Sequence, residues 1–98
     1  MYGTVGRLRI KIGHLSNLTD VIRELETNPG VQAMSIVGKD DSEVDYYWTI
    51  VWADKATHDA NGERPEFAAQ YERLLATLVD EPKWHSGEIT YLHRAGTE

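Results

Sequence analysis

The chain has 98 residues, a formal net charge of -6 at pH 7, 41% hydrophobic and 27% charged residues, and no cysteine. That length carries one modest core, and the composition is that of a globular domain, which excludes a disordered segment. The acidic balance, with no run of Lys or Arg, argues against a nucleic-acid partner, and the missing thiols exclude disulfides, thiolate zinc sites and iron–sulfur clusters. No apolar leader and no apolar run near the ~20 residues of a membrane helix is present, so a soluble cytoplasmic protein with no membrane contact is expected.

Thr4 to Ile12 reads as a first strand, with Leu8, Ile10 and Ile12 alternating with Arg7, Arg9 and Lys11. The apolar set is assigned to the face under the helices. Gly13 ends the strand, and Asn17 with Asp20 three residues later has the form of a helix N-cap followed by an acidic first turn. Leu18, Val21, Ile22 and Leu25 recur at helical spacing until Asn28-Pro29-Gly30 stops the helix. Val31 to Gly38 is a second strand, with Val31, Ala33 and Val37 on one face and Met34 and Ile36 on the other. Gly38 to Ser42 is turn chemistry and joins the second strand to a third in a hairpin.

The third strand, Val44 to Asp54, organises the chain. It is dense in aromatic and β-branched residues and free of Gly and Pro. Tyr46, Trp48, Ile50 and Trp52 point one way; Tyr47, Thr49 and Val51 point the other. Both faces are largely apolar or aromatic, so each needs a cover. Lys55 to Asn61 is a short helical segment capped by Asp54 and broken by Gly62. Pro65 then opens an amphipathic helix carrying Phe67, Tyr71, Leu74, Leu75 and Leu78, which ends near Asp80-Glu81-Pro82. Gly87 to Leu92 is the expected last strand, and His93 to Glu98 a polar tail.

The order β-α-β-β-α-β is the split βαβ arrangement of a ferredoxin-like α+β sandwich, here a single domain over residues 1–98. Two helices cover one sheet face and leave the other, aromatic, face bare. Two copies packed face to face would cover both, so the expected partner is a second copy of the chain in a homodimer.

The hairpin into Val51-Trp52-Ala53-Asp54-Lys55-Ala56-Thr57-His58, followed by Asn61, Pro65 and the helix to Pro82, resembles the antibiotic biosynthesis monooxygenase-like superfamily. The strand ending at Gly13 and the Pro29-Gly30-Val31 entry to the second strand fit as well. The resemblance spans nearly the whole chain. It implies a dimeric α/β barrel in which two ferredoxin-like sheets close on each other. It also implies kinship with quinone-forming monooxygenases that need no cofactor and with haem-degrading enzymes. In the haem-degrading pattern an Asn, a Trp and a haem-ligating His are required; Gly6, Asn61 and Tyr71 stand at those positions, which argues against haem degradation. In the quinone-forming pattern an Asn and a Trp lie four residues apart on the third strand. Trp52 matches the Trp, Trp48 replaces the Asn, and His58 stands where those enzymes have a Tyr.

The candidate catalytic residues are therefore His58, as a base near neutral pH, and Tyr71, as a donor to developing oxyanion charge. Trp52, Tyr47 and Trp48 are the candidate substrate-binding aromatics. Against each stands a plainer role: His58 exposed on a short helix, and the aromatics filling the core. His14, His58, His85 and His93 have no metal-ligand spacing, and no cofactor or metal is expected. Two functions compete. One is a cofactor-independent monooxygenase-like enzyme acting on a small aromatic substrate. The other is a non-catalytic homodimer that binds a small ligand or has a structural role. A pocket holding His58 and a Tyr favours the enzyme; a pocket filled by Trp48 and Trp52 favours the second.

Overall fold

A computed structural model describes residues 1–93 and 95. In chain order it contains β1 (Tyr2–Arg9), α1 (Leu15–Arg23), a 3-10 turn (Glu24–Thr27), β2 (Val31–Gly38), β3 (Asp45–Trp52), α2 (Lys55–Gly62), α3 (Phe67–Ala76) and β4 (Lys83–Glu88). The strands form one antiparallel sheet in the order β2-β3-β1-β4. Each βαβ half thus steps over one strand of the other, which is the ferredoxin-like α+β arrangement expected from the sequence. The sheet is open, with β2 and β4 as its edges. The polar tail expected from His93 lies, apart from residues 93 and 95, outside the described residues. No described helix is long and apolar enough to cross a membrane.

Alternation along β3 sorts the sheet into two faces. Trp48, Ile50 and Trp52 are buried with Leu8, Ile10, Leu18, Ile22, Leu25, Leu74 and Leu78 between sheet and helices, and Tyr46 packs against them. Tyr47 lies on the opposite face and is 39% exposed, beside Val37 on β2 at 53%.

Four expectations need correction. β1 spans Tyr2–Arg9 and stops short of Ile12, because Gly13 takes a left-handed turn (φ +83°) that few residues but glycine adopt. Ile10 still bridges to Leu78, but Ile12 is 79% exposed and does not face the helices. That turn delivers the chain into α1 early, so His14 occupies the cap position without a side-chain hydrogen bond. The first helical bond runs from the Leu18 N–H to the His14 carbonyl (2.9 Å), which leaves Asn17 exposed inside the helix. In β2 a register shift between Val31 and Ala33 moves Val31 to the covered face with Met34 and Ile36, while Ala33 and Val37 stay outside. Finally, the last strand is Lys83–Glu88, upstream of the expected Gly87–Leu92. It is an edge strand paired only to β1, so its exposed residues need no apolar alternation.

The expected cap of α2 is present. Asp54 accepts from the backbone N–H of Thr57 (2.8 Å) and from its hydroxyl. The Thr57 hydroxyl, then its backbone N–H, hold the Asp54 carboxyl below its ordinary value of 3.8. In the hairpin before β3, Ser42 and then Arg9 do the same for Asp45. A carboxyl whose pKa is depressed by folding stabilises the fold above its unfolded pKa, and that contribution is lost as pH falls through the folded value. The expected outcome is a urea midpoint that drops as pH is lowered from about 5 to about 2. In the Asp45→Asn/Asp54→Asn double variant the drop is shallower. An equal drop in wild type and double variant would assign the acid loss to other groups.

Candidate functional site

The covered face of the sheet carries three cross-strand rows, because β1 pairs with β3 on one side and β4 on the other. Gly6 lies between Trp48 and Trp84, Thr4 between Ile50 and Ser86, and Tyr2 between Trp52 and Glu88. Above these rows, Val21 of α1, His58 and Asn61 of α2, and Phe67, Gln70, Tyr71 and Leu74 of α3 enclose a cavity of about 330 Å³. That is within the ~300–1,000 Å³ range of small-molecule sites. Trp48 and Trp52 form part of its wall and do not fill it.

Gly6 makes room for one wall. A Cβ built there would stand 2.3 Å from Cζ3 of Trp84, closer than any real contact, so the indole lies directly over the β1 backbone. From that seat Trp84 meets Trp48 edge-on, with centroids 6.0 Å apart, and its Nε1 donates to the Tyr71 hydroxyl at 3.0 Å. Tyr71 is also stacked on Phe67, with ring planes 12° apart. With a lone pair occupied by the indole, the Tyr71 O–H keeps its own hydrogen for another acceptor.

Across the rows, the buried Trp52 Nε1 donates to Thr4 Oγ1 (3.1 Å), which is itself 3.1 Å from Ser86 Oγ. This bond fixes the Trp52 ring. His58 packs edge-on against it (5.5 Å, 87°) and lies tilted against Tyr2 (4.9 Å, 57°). The His58 Nδ1 is 2.9 Å from Asp59 Oδ1, and the same carboxylate takes Lys55 Nζ at 2.8 Å. Lys55, then His58, holds the Asp59 carboxyl below its ordinary value. With Nδ1 engaged, Nε2 is the ring nitrogen left to exchange a proton with a ligand.

Four of the five candidate residues, His58, Tyr71, Trp52 and Trp48, therefore line one cavity. Tyr47 does not: as an odd-numbered residue of β3 it sits on the open face, so its proposed contact with a ligand in this cavity is withdrawn. With the last strand expected at Gly87–Leu92, Trp84 reads from the sequence as a loop aromatic over the core edge; the structure places it on β4 and in the cavity wall. A glycine inside a strand often marks a close approach, and Gly6 was the available signal for it. Gln70 and Asn61 carried no such signal, since a polar residue on a short helix reads as solvated surface.

No family profile matches the sequence, and no curated protein does. Solved structures do. The fold is similar to that of solved structures described as oxygenases or antibiotic biosynthesis monooxygenases. Among them is SnoaB, a cofactor-independent oxygenase from Streptomyces nogalater, at TM-score 0.79 and 16% identity over 93% of this chain and 94% of that one. A presumed antibiotic biosynthesis monooxygenase from Deinococcus radiodurans also aligns at 0.79, with 13% identity over 99% and 100%. Another, from Chloroflexus aurantiacus, aligns at 0.75 with 20% identity over 97% and 98%. At these identities the likeness establishes the fold.

The Gly6–Trp84 contact gives a direct test of the cavity wall. Gly6→Ala is expected to cost about 1–3 kcal/mol, as overpacking does. In a Trp84→Ala background the same change is expected to cost far less, measured by urea denaturation of all four proteins. Equal costs in both backgrounds would mean that Trp84 is not seated on Gly6.

Proposed function

We propose that this protein is a cofactor-independent monooxygenase-like enzyme acting on a small aromatic substrate. The observation that carries the reading is the placement of His58, Trp52 and Tyr71 on the wall of one apolar cavity of about 330 Å³. The fold shared with SnoaB, which is described as a cofactor-independent oxygenase, supports it. Trp52 is a flat wall for an aromatic ring, and His58 Nε2 takes a proton from a phenol-like substrate. The resulting anion delocalises charge onto ring carbon, which reacts with dioxygen to a hydroperoxide. Loss of water then leaves a carbonyl: one oxygen atom ends in the product and the other in water. The protein's part is proton removal, alignment, and the donor that Tyr71 turns to the developing oxyanion.

A homodimer through the open sheet face belongs to the same reading, as does a cytoplasmic location for a cysteine-free chain. Val5, Val37 and Tyr47 leave apolar surface on that face, which a second copy would cover. Sedimentation at micromolar concentration is expected to give twice the 11.1 kDa of one chain. A species of 11.1 kDa would refute the dimer.

The activity is tested by oxygen uptake with dihydroxynaphthalene- and anthrone-like compounds. His58→Ala is expected to fold normally and to abolish uptake. Trp52→Ala is expected to cost on the order of 3–5 kcal/mol of stability, as buried aromatic truncations do. Uptake no greater than that of His58→Ala across the panel would leave the alternative, a non-catalytic small-ligand-binding homodimer.

A further inference from the structure

The hydrogen bonds around the cavity share a direction. Asn61 Oδ1 accepts from Asn28 Nδ2 (3.2 Å), Gln70 Oε1 accepts from Arg64 Nη2 (2.7 Å), and the Tyr71 hydroxyl accepts from Trp84 Nε1 (3.0 Å). Asn28 and Arg64 stand outside the cavity lining and Trp84 within it, and each occupies an acceptor. What Asn61 and Gln70 retain is their amide N–H groups, and what Tyr71 retains is its O–H. Neither amide nitrogen has a partner among the described residues.

Charge points the same way. In a chain of net charge -6, no Asp or Glu lines the cavity; its titratable lining groups are His58 on α2 and Tyr71 on α3. The carboxylate nearest in the network, Asp59, is bound to Lys55 and to the far nitrogen of His58. Arg64, between α2 and α3, reaches no carboxylate among the described residues, and its Nε is buried without an acceptor. A half-buried guanidinium without a direct ion pair places its positive charge at the end of the Gln70 amide, although Glu63 and Glu66 flank it in the chain.

We propose that the cavity holds its ligand as an oxyanion, that Gln70 and Asn61 are donors to it, and that Arg64 is a positioning residue acting through Gln70. This rests on the reading of the cavity as an aromatic-ligand site. By locking Oε1 outward, Arg64 fixes which end of the Gln70 side chain meets the ligand, and its charge favours the deprotonated form. Removal of a substrate proton by His58 would then leave the negative charge facing prearranged donors.

The test uses 4-nitrophenol, whose phenol and phenolate absorb at different wavelengths, and 4-nitroaniline as a neutral analogue of similar shape. Binding of either is followed by quenching of tryptophan fluorescence. Bound to the wild-type protein, 4-nitrophenol is expected to ionise about one pH unit lower than free in solution, a tenfold change. Arg64→Met is expected to abolish that shift while leaving affinity for 4-nitroaniline within about twofold, Gln70→Leu to abolish it as well, and Arg64→Lys to restore part of it. A purely structural Arg64 would weaken both ligands together. A shift unchanged in both Arg64→Met and Gln70→Leu, with 4-nitroaniline still bound, would overturn the inference and leave the aromatic-ligand site standing. Failure of the wild-type protein to bind either compound would remove that site, and the inference with it.

Discussion

The cavity depends on the absence of one methyl group. At Gly6 a Cβ would stand 2.3 Å from the Trp84 ring, so only glycine lets the indole of β4 lie across β1 and reach α3. That reach ties the sheet edge to the third helix through the bond from Trp84 Nε1 to Tyr71. β4 is a six-residue edge strand, its residues mostly exposed, and the Trp84 seat adds to the backbone pairing with β1 that sets its register. The same contact therefore sets three things: where β4 sits, where one cavity wall ends, and how the Tyr71 hydroxyl is turned. Glycine in a strand weakens it, and here the loss is set against an indole packed at close range on the backbone.

The polar groups of the site are organised by the same economy of bonds. An amide or hydroxyl in a mostly apolar wall must be satisfied or it costs stability. Thr4 is held by Trp52, Tyr71 by Trp84, Gln70 by Arg64 and Asn61 by Asn28. Each neighbour supplies an N–H, so satisfying the acceptors also fixes orientation. The wall is thereby left with hydrogens to give and few lone pairs to offer, His58 apart. A base among donors suits chemistry in which a proton leaves and the negative charge stays behind.

How much of this was legible in the sequence varied with how local the signal was. β3 could be read because its period of two is carried by large residues, and the position of Tyr47 on the open face followed from the same alternation. The stripe Leu18, Ile22, Leu25 was legible because helical spacing depends on no distant partner. The cap at Asn17 misled, since a favourable residue type cannot outweigh the turn that Gly13 imposes just upstream of α1. β4 was misplaced because its register is set by backbone pairing to β1 and by Gly6, which are contacts some eighty residues apart. For the same reason Gln70 and Arg64 escape notice and Trp84 reads from the sequence only as a loop aromatic at the core edge: each acquires its role only from a neighbour brought in by the fold.

Alternation also separates two demands that a single strand would otherwise have to reconcile. On β3, Trp48, Ile50 and Trp52 serve the cavity, while Tyr47, Thr49 and Val51 face the open side. On β1, Thr4 and Gly6 face the cavity, while Val5, Arg7 and Arg9 lie on the other face. There Arg7 stands opposite Lys83, a like-charged pair that destabilises an uncovered sheet. Any copy covering this face has to place apolar side chains over Val37 and Tyr47 and acidic ones near Arg7 and Lys83. A two-fold axis allows both only if acids lie close by on the same surface, and Asp80 and Glu81 border a small cleft with Arg7, Arg9 and Lys83. The open face thus has the elements of a self-complementary surface. The cavity wall and the open face in this way draw on alternate residues of the same strands.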